Sequence, residues 1–293
     1  MNFWDALSET IGAATGRPFT PRARQGASGG CINEAWRLTG SDGRDYFVKL
    51  NAAGQQDMFA AEAEGLAELD RAGAIRVPRP VCHGELAGRS YLVMEYLPLG
   101  GRPDPVRFGQ AMAGLHGHTA ERFGWHRDNT IGATPQPNAW HDDWLSFWRE
   151  RRLGHQLRLA LDNGAPARLA GRVERLMAGM DALFTDHRPR PSVLHGDLWS
   201  GNWGATPDGT PVIFDPATYF GDHEADLAMM ELFGHPGADF FAAYRERRPI
   251  DPGYPQRRTL YNLYHILNHY NLFGGGYLAQ AERMVDALLA ELG

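Results

Sequence analysis

The sequence predicts an α+β protein with two lobes, a small β-rich lobe at residues 1–96 and a larger, mainly helical lobe at residues 97–293. Short β-rich runs separated by Gly and Asp dominate the first part, and helical patterns dominate the second. The segment between them, residues 97–103, contains two glycines and two prolines, so it cannot continue a strand and is the expected hinge. A cleft between two lobes is where a small ligand most often binds.

Local patterns give the elements of the first lobe. Apolar residues at helical spacing predict an amphipathic helix over residues 3–14, and an Ala-, Glu- and Leu-rich segment predicts a second helix over residues 58–72. A β-rich stretch begins at residue 21. Strands are predicted over residues 32–38, 45–50, 81–85 and 90–96. This order, with strands on both sides of one main helix, favours an antiparallel sheet.

The second lobe is predicted to be helical with one small β-ribbon. Helices are predicted over residues 106–123, 140–163, 165–184, 222–233, 238–247, 257–273 and 277–292. Two short apolar runs, residues 192–194 and 211–214, interrupt the helical pattern. We expect these two runs to pair with each other as the ribbon.

Composition excludes several classes of protein. Hydrophobic residues make up 43% and charged residues 22%, which is ordinary globular usage. A net charge of −6 argues against a general nucleic-acid binder, which needs a basic surface. No apolar run is long enough for a membrane span, and Asp5 and Glu9 interrupt what would be the apolar part of a signal peptide. With only Cys31 and Cys82, we expect no disulfide framework, no zinc site and a cytoplasmic location.

The segment 195–202, which reads HGDLWSGN, carries the clearest chemical signal. Protein-kinase catalytic loops have a histidine, an aspartate two residues later, and an asparagine five residues beyond the aspartate. Asp197 and Asn202 have this spacing, which lets a carboxylate meet the acceptor hydroxyl while an amide oxygen reaches a metal ion. Asp215, at the end of an apolar run, is the expected second ligand of Mg²⁺ bound to ATP. Turn capping is the alternative role of these three residues, and their combined spacing disfavours it.

The first lobe contains the groups that such a site requires. Gly29 and Gly30 lie in a glycine-rich stretch where the backbone can approach phosphates, although a hairpin turn alone would explain them. Lys49 lies inside a predicted strand, where lysine is depleted unless it has a partner or faces solvent. Glu62 and Glu64 on the following helix are its candidate partners. The residues expected beside the adenine, through their backbone, are Met94, Glu95, Tyr96 and Leu97.

Together these residues resemble the fructosamine (ketosamine) kinase family, a branch of the aminoglycoside-phosphotransferase and choline-kinase-like group with a protein-kinase-like fold. The superfamily residues are Lys49, Glu62, Asp197, Asn202 and Asp215. More specific family segments lie at residues 29–33, 128–132, 136–138, 140–156, 222–229 and 268–274. The resemblance covers essentially the whole chain.

The resemblance implies ATP- and Mg²⁺-dependent phosphorylation of the sugar of glycated amines, at the hydroxyl on its third carbon. The phosphorylated adduct is unstable and releases the amine, so the activity amounts to protein deglycation. Bacterial members are expected to prefer ribulosamine or erythrulosamine to fructosamine adducts. The resemblance also selects Glu62 over Glu64 as the partner of Lys49. Pro216 after Asp215 is expected to prevent an aspartate flip, which gives a permanently formed site.

Three alternative functions fit the sequence less well. An aminoglycoside, choline or homoserine kinase would share the fold, but the segment 128–156, where acceptor specificity should lie, argues against it. A catalytically inactive nucleotide-binding module would be expected to lack at least one of Lys49, Asp197, Asn202 and Asp215, and all four are present. A hydrolase using His195 with Asp197 lacks an evident nucleophile.

Several polar and aromatic groups have two open interpretations. An aromatic stripe could stack against the sugar or belong to the core: Trp140, Trp144, Phe147 and Trp148. A polar cluster in an apolar helix could line the acceptor pocket or tie the helix to a loop: Asn268, His269 and Asn271. Three acidic residues are expected to have structural rather than chemical roles, with an aspartate among them bracing the catalytic loop: Asp222, Glu224 and Asp226.

Cys31 directly follows Gly29 and Gly30, and the choice between an inert thiol and a reactive one is open at this point. A site that holds phosphates is electropositive when empty, which favours the thiolate. The family resemblance implies a redox switch at this position, with pairing between two subunits. The chain is therefore expected to be a monomer or a redox-sensitive homodimer through Cys31, whereas Cys82 packs as a small hydrophobe.

Overall fold

The computed structural model describes residues 2–27 and 33–293. Its first lobe contains the predicted antiparallel sheet, which has five strands in the order β1-β2-β3-β5-β4. The strands are β1 (Pro21–Ala27), β2 (Glu34–Gly40), β3 (Asp45–Ala52), β4 (Pro80–Leu86) and β5 (Arg89–Glu95). The two helices of this lobe are α1 (Phe3–Thr15) and α2 (Gln56–Arg71).

Strand β3 separates two hydrophobic cores. Side chains alternate between the two faces of a strand, so Tyr46, Val48 and Leu50 face one side, where they pack with Leu7 and Ile11 of α1. The side chain of Lys49 therefore points to the opposite face, where α2 lies. Apolar residues of α2 belong to a second core that continues into the helical lobe. This arrangement places a buried lysine at the boundary between the lobes.

The second lobe is mainly helical and ends in two long helices. Its helices are α3 (Pro105–Leu115), α4 (Trp144–Phe147), α5 (Gly154–Asp162), α6 (Ala167–Gly179), α7 (Glu224–Leu232), α8 (Ala238–Arg247), α9 (Tyr254–Phe273) and α10 (Tyr277–Leu292). A π-helical segment (Trp148–Leu153) joins α4 to α5, and a 3-10 segment (Met180–Phe184) follows α6. Among the described residues, no helix combines the length and the apolar character that crossing a membrane requires.

The predicted helix over residues 106–123 is too long, since α3 ends at Leu115. Beyond this point the backbone bonds to a neighbouring strand instead of continuing its own helix. The carbonyl of His118 accepts a hydrogen bond from the N–H of Val193 at 2.8 Å, and the N–H of Ala120 donates to Pro191 at 2.9 Å. Tertiary pairing therefore replaces the helical pattern at residues 118–120.

The predicted ribbon between residues 192–194 and 211–214 is wrong. The structure forms three short antiparallel pairs: β6 (Asn129–Ile131) with β7 (Thr134–Gln136), β8 (Ser192–Leu194) with β11 (Tyr219–Gly221), and β9 (Trp203–Ala205) with β10 (Pro211–Ile213). Apolar runs of three residues carry too little pattern to select a partner. The observed pairing puts the loop after β8, residues 195–202, beside the loop after β10, residues 214–218.

Candidate active site

The catalytic loop is held by a buried carboxylate on α7. Asp226 accepts hydrogen bonds from the backbone N–H groups of His195 (2.7 Å) and Gly196 (2.9 Å), and the ring of His116 lies 3.3 Å from the same carboxylate. Burial alone would raise the pKa of Asp226, but these donors outweigh it and hold that pKa below its usual value. Asp226 therefore has the bracing role expected of an acidic residue in this segment.

Gly196 meets a steric requirement that other residues cannot meet. Its φ of +83° lies in the left-handed region, and an added Cβ would be 2.1 Å from the carbonyl oxygen of Ala217. The N–H of Ala217 also donates to the carbonyl of His195 at 2.8 Å. The loop at 195–202 and the loop at 214–218 are thus in direct backbone contact.

The ring of His195 joins the same two loops. Its Nε2 donates to the carbonyl of Phe214 at 2.9 Å, and its Nδ1 accepts from the N–H of Asp197 at 3.2 Å. The residue is fully buried, and burial lowers the pKa of the imidazole, so the ring stays neutral. Because both ring nitrogens are engaged, His195 is not available as the base that a hydrolase would need.

Asp197 and Asn202 contact each other within the catalytic loop. The Nδ2 of Asn202 donates to the main-chain carbonyl of Asp197 at 2.8 Å and to its carboxylate at 3.2 Å. Burial, together with the nearby negative charge of Asp215, raises the pKa of Asp197 to about 7, although the bond from Asn202 acts in the opposite direction. A carboxylate with a pKa near neutrality suits general-base catalysis.

Lys49 contacts one carboxylate of its own lobe and one of the helical lobe. Its Nζ lies 2.6 Å from Oε1 of Glu62 on α2 and 2.7 Å from Oδ1 of Asp215. Burial by itself would lower the pKa of Lys49, but the attraction of Asp215 and Glu62 outweighs burial and raises it above the usual value. The lysine is therefore a fixed cation at the centre of the cleft.

The backbone at Asp215 is held in an uncommon conformation. Its φ of +59° is one of two positive values among the described non-glycine residues, the other being at Ala87 in a tight turn. Such conformations persist only where the surroundings impose them. Here the pairing of Asp215 with Lys49 and the bond from His195 to Phe214 fix the segment on both sides.

Two cavities meet at Lys49 and Asp215. The first, about 510 Å³, lies against the sheet and the interlobe segment. It contains the predicted adenine-side residues Met94, Glu95, Tyr96 and Leu97. The N–H groups of Glu95 and Tyr96 already donate to the carbonyls of Arg79 and Asp45, but among the described residues none accepts from the N–H of Leu97. Gly29 and Gly30 lie outside the described residues.

The second cavity, about 230 Å³, extends from Asp197 and Asn202 to the end of α9. Its wall includes β6, which lies in the family segment 128–132, and Trp199, which is 40% exposed. The residues that line this cavity, besides Lys49, Glu62, Asp197, Asn202 and Asp215, include Met58, Asn129, Thr130, Ile131, Gly132, Trp199, Asn268, His269, Leu272 and Phe273. The sequence analysis gives no separate role to Trp199, and the position of this ring inside the 195–202 loop is the signal that could have indicated one.

The polar cluster of α9 has both kinds of contact. Asn268 and His269 line the second cavity, and Asn268 also accepts a hydrogen bond from Gln156 Nε2 at 3.2 Å. Asn271 ties α9 to α5 by donating to Gln156 Oε1 at 2.7 Å. The aromatic stripe belongs to the core: Trp144, Phe147 and Trp148 are at most 2% exposed, and Trp140 stacks on Phe220 away from the cavity. None of these four aromatic residues lines the second cavity.

Asp222 and Glu224 are structural. Asp222 accepts from His187 Nε2 at 2.7 Å and from the hydroxyl of Tyr261, and Glu224 forms a two-bond ion pair with Arg257 at 2.6 and 3.0 Å. The potential ligand atoms of His187, Asp222 and Glu224 lie within 4.8 Å of one another, and Asp251 contacts the other nitrogen of His187. Because Arg257 occupies Glu224, this cluster is an internal ion-pair network.

Comparison with known proteins identifies the family. The family model described as fructosamine kinase matches residues 3–291. The chain belongs to the fructosamine kinase family. A Synechocystis protein provisionally named ketoamine kinase is 50% identical over 294 residues, covering 98% of this chain and 97% of its own length. The chloroplastic protein-ribulosamine 3-kinase of Arabidopsis thaliana is 44% identical, covering 90% of this chain and 82% of its own length.

Solved structures confirm the predicted fold. A crystal structure from Haemophilus somnus 129PT, provisionally named fructosamine-3-kinase, matches with a TM-score of 0.89 at 29% identity, covering 98% of this chain and 97% of that one. An aminoglycoside phosphotransferase crystallised with AMP-PNP and hygromycin B matches with a TM-score of 0.63 at 15% identity, covering 97% of this chain and 98% of its own length, which shows the fold alone. The protein is therefore a two-lobed, protein-kinase-like phosphotransferase, and membership of a kinase family implies ATP as its phosphoryl donor.

Proposed function

We propose that this protein transfers the γ-phosphoryl group of ATP to the third-carbon hydroxyl of the sugar in ketoamines, and thereby starts their deglycation. The substrates would be fructosamine, ribulosamine or erythrulosamine adducts, free or on glycated proteins. The observation that carries the proposal is that the two cavities meet at Lys49 and Asp215, with Asp197 lining the second cavity. The names of the Synechocystis and Arabidopsis relatives support a ketoamine as the acceptor.

The nucleotide is proposed to occupy the cavity of about 510 Å³ beneath the sheet. Lys49, held by Glu62, would contact the α- and β-phosphates, and the backbone of Gly29 and Gly30 would approach the same phosphates. The N–H of Leu97 supports adenine recognition because it is available as a donor at the wall of this cavity. Met94, Glu95 and Tyr96 would form the remainder of the adenine wall.

The oxygen groups of Asn202 and Asp215 fit Mg²⁺. The amide nitrogen of Asn202 is used by Asp197, which leaves its Oδ1 for a cation, and one oxygen of Asp215 contacts Lys49 while the second is available. Amide and carboxylate oxygens suit this hard cation. When bound, Mg²⁺ would neutralise charge on the β- and γ-phosphates. Asn202 and Asp215 would hold it.

Asp197 is proposed as the catalytic base. Its carboxylate would accept the proton of the acceptor hydroxyl as the oxygen–phosphorus bond forms and the bond to the departing ADP breaks. The bond from Asn202 orients the carboxylate, and Asp226 fixes the loop that carries it. Lys49 would stabilise the negative charge that remains on the phosphates of ADP.

The acceptor sugar is proposed to bind in the second cavity, among Asn129, Asn268 and His269. The Nδ1 of His269 donates to the carbonyl of His265 at 2.7 Å, and burial lowers the pKa of His269, so Nε2 remains an unprotonated acceptor. Amide and imidazole groups can bond to sugar hydroxyls, and the exposed rings of Trp199 and Phe273 offer apolar surface to the amine carrier.

The direct test is ADP release with ribulose-, erythrulose- and fructose-lysine as acceptors. Turnover with at least one ketoamine, and none with unglycated lysine or with kanamycin, is the expected result. Turnover with kanamycin alone would assign the chain to the aminoglycoside kinases, and the absence of turnover with every acceptor despite ATP binding would favour an inactive module.

The cellular setting and oligomeric state are also proposals. Cys31 lies outside the described residues, so a redox-sensitive homodimer through this thiol rests on the family resemblance, with a monomer as the alternative. The small number of cysteines supports a reducing compartment, for which we propose the cytoplasm.

A further inference from the structure

Helix α2 carries a second acidic face, which the proposed mechanism does not use. Asp57, Glu64 and Glu68 lie within about 40° of one another around the helix axis, because successive residues turn by about 100°. Glu62 lies about 140° from Asp57 on the same scale and faces Lys49 instead. The helix therefore presents one carboxylate to the active site and three to another surface.

The groups that face Asp57 and Glu64 belong to the helical lobe, and one of them is the cation of Arg127. The guanidinium of Arg127 bridges Asp57 and Glu64 through its two terminal nitrogens, and also donates to the carbonyl of Asp57 at 3.3 Å. His126 Nε2 lies 2.7 Å from the other carboxylate oxygen of Glu64. We call these contacts among Asp57, Glu64, His126 and Arg127 the α2 clamp.

Hydrogen bonds within the helical lobe hold the segment that carries Arg127. The carbonyl of Arg127 accepts a hydrogen bond from the side chain of Asn138 at 3.2 Å, and Asn138 in turn accepts one from the fully buried Arg152 at 2.7 Å. Asn129, two residues beyond Arg127, donates to the carbonyl of Thr218 at 2.8 Å. The clamp thus connects α2 to the same segment that follows Asp215.

We propose that Arg127 is a positioning residue that holds α2 so that Glu62 stays in contact with Lys49. Single ion pairs on a surface contribute little, but a guanidinium that bridges two carboxylates fixes both distance and orientation. Apolar packing of α2 into the large core maintains the fold, so loss of the clamp changes the setting of the helix rather than its existence. The proposal rests on the assignment of Lys49 to the nucleotide site.

The test compares Arg127→Gln with Arg122→Gln in calorimetric titrations with Mg·AMP-PNP. Arg122 is a matched control because it pairs with Asp142 at 2.6 Å within the helical lobe and makes none of the clamp contacts. Arg127→Gln is expected to weaken binding about fivefold or more, the size of a typical coupling between sites. Arg127→Lys, which keeps the charge but loses the two-pronged contact, is expected to give an intermediate affinity. Equal affinity of Arg127→Gln and wild type would overturn the proposal.

A second comparison separates positioning from general destabilisation. If Arg127 acts through Glu62, adding Arg127→Gln to Glu62→Gln causes no further loss of affinity, because the contact that it protects is already absent. The same fold-loss in both backgrounds would contradict the proposal. If Arg127→Gln does not fold, the double substitution of Asp57→Asn and Glu64→Gln removes the carboxylates that Arg127 contacts on α2. This variant should weaken nucleotide binding on its own and cause no further loss of affinity when added to Glu62→Gln. The readout needs no ketoamine, so failure of the acceptor assignment would leave this result standing.

Discussion

The side-chain amide of Asn202 donates to both the main-chain carbonyl and the carboxylate of Asp197, at 2.8 and 3.2 Å. The two residues are thus linked before any ligand arrives. This contact sets the direction of the Asp197 carboxylate, and leaves the oxygen of Asn202 for a cation. The proposed base and the proposed metal ligand therefore orient each other. Substituting one residue at a time can still separate their roles.

Asp197→Asn is expected to reduce turnover by roughly 10²–10⁴-fold, which is typical for loss of a general base. Binding of Mg·AMP-PNP should persist, because Asp197 lines the acceptor cavity rather than the nucleotide cavity. Steady-state kinetics and calorimetry on the same preparation measure the two effects. Near-wild-type turnover would remove Asp197 from the chemistry.

Asp215→Ala should affect the nucleotide itself. The substitution removes one proposed ligand of Mg²⁺ and one of the two carboxylates that contact Lys49, so Mg·AMP-PNP affinity should fall by about tenfold or more. Asp208→Ala is the control, because Asp208 bonds to Thr206 and Thr210 in an exposed turn. Unchanged nucleotide affinity in Asp215→Ala would contradict the assignment.

Gly196→Ala and Gly209→Ala form a matched pair. Both glycines have a φ near +80°, but an added Cβ meets the Ala217 carbonyl at 2.1 Å in the first and nothing nearer than 3.7 Å in the second. Gly209→Ala should lower the free energy of unfolding by about 1 kcal/mol, the cost of the left-handed backbone. Gly196→Ala should lower it by roughly 3–5 kcal/mol and abolish turnover. Equal losses in urea unfolding would show that the contact with Ala217 is unimportant.

His187 makes stability depend on pH. Its two ring nitrogens lie 2.7 Å from Asp222 and 2.6 Å from Asp251; burial opposes the charge, but these carboxylates outweigh it and raise the pKa of His187 to about 9. Because the pKa of His187 is higher in the folded state, its protonation stabilises the fold fully at pH values below the unfolded pKa of about 6.5. This contribution to the free energy of unfolding is lost as the pH rises to about 9. The difference in unfolding free energy between wild type and His187→Gln should therefore shrink by about 2 kcal/mol between pH 6 and 9.5, after allowance for solvent screening.

The control for His187 is His83→Gln, at an exposed position in β4. The difference in unfolding free energy between this variant and the wild type should stay constant across the same pH range. A gap between wild type and His187→Gln that stays constant with pH would mean that His187 acts only through packing and neutral hydrogen bonds.

The two cysteines should differ in reactivity. Burial raises the pKa of the Cys82 thiol to about 11, so little thiolate forms there at neutral pH. We expect Cys31 to react first with a thiol reagent, Mg·ATP to slow that reaction, and oxidation to inhibit wild type but not Cys31→Ala, with dithiothreitol restoring activity. Peptide mapping after labelling measures the order. Equal labelling without protection by ATP, or oxidative inhibition of Cys31→Ala, would leave Cys31 as a packing residue.

The sequence predicted those parts of the site that depend on spacing along the chain. Asp197 and Asn202 lie on one loop, and a strand carries Lys49 toward α2, so their positions follow from local geometry. The approach of Asp215 to Lys49 could be expected only through the family pattern, since the two residues lie far apart in sequence. Their 2.7 Å contact is a product of tertiary folding.

The sequence did not predict features that depend on unpatterned long-range pairing. The partner of Ser192–Leu194 is Tyr219–Gly221, and a run of three apolar residues does not encode that choice. Its position on the helix after β3 makes Glu64 a candidate partner of Lys49, whereas in the structure it pairs with Arg127. Helical periodicity would have separated Glu64 from Glu62, because the two positions face different directions around α2.

The α2 clamp is one of several links between the lobes. Lys49 contacts Asp215, the carbonyl of Arg76 accepts a hydrogen bond from the N–H of Ile213 at 3.1 Å, and the ring of His118 lies 3.1 Å from Glu68. The large hydrophobic core also continues from α2 into the helical lobe. A substitution at one link leaves the others in place, so its effect should appear in nucleotide affinity before it appears in the free energy of unfolding.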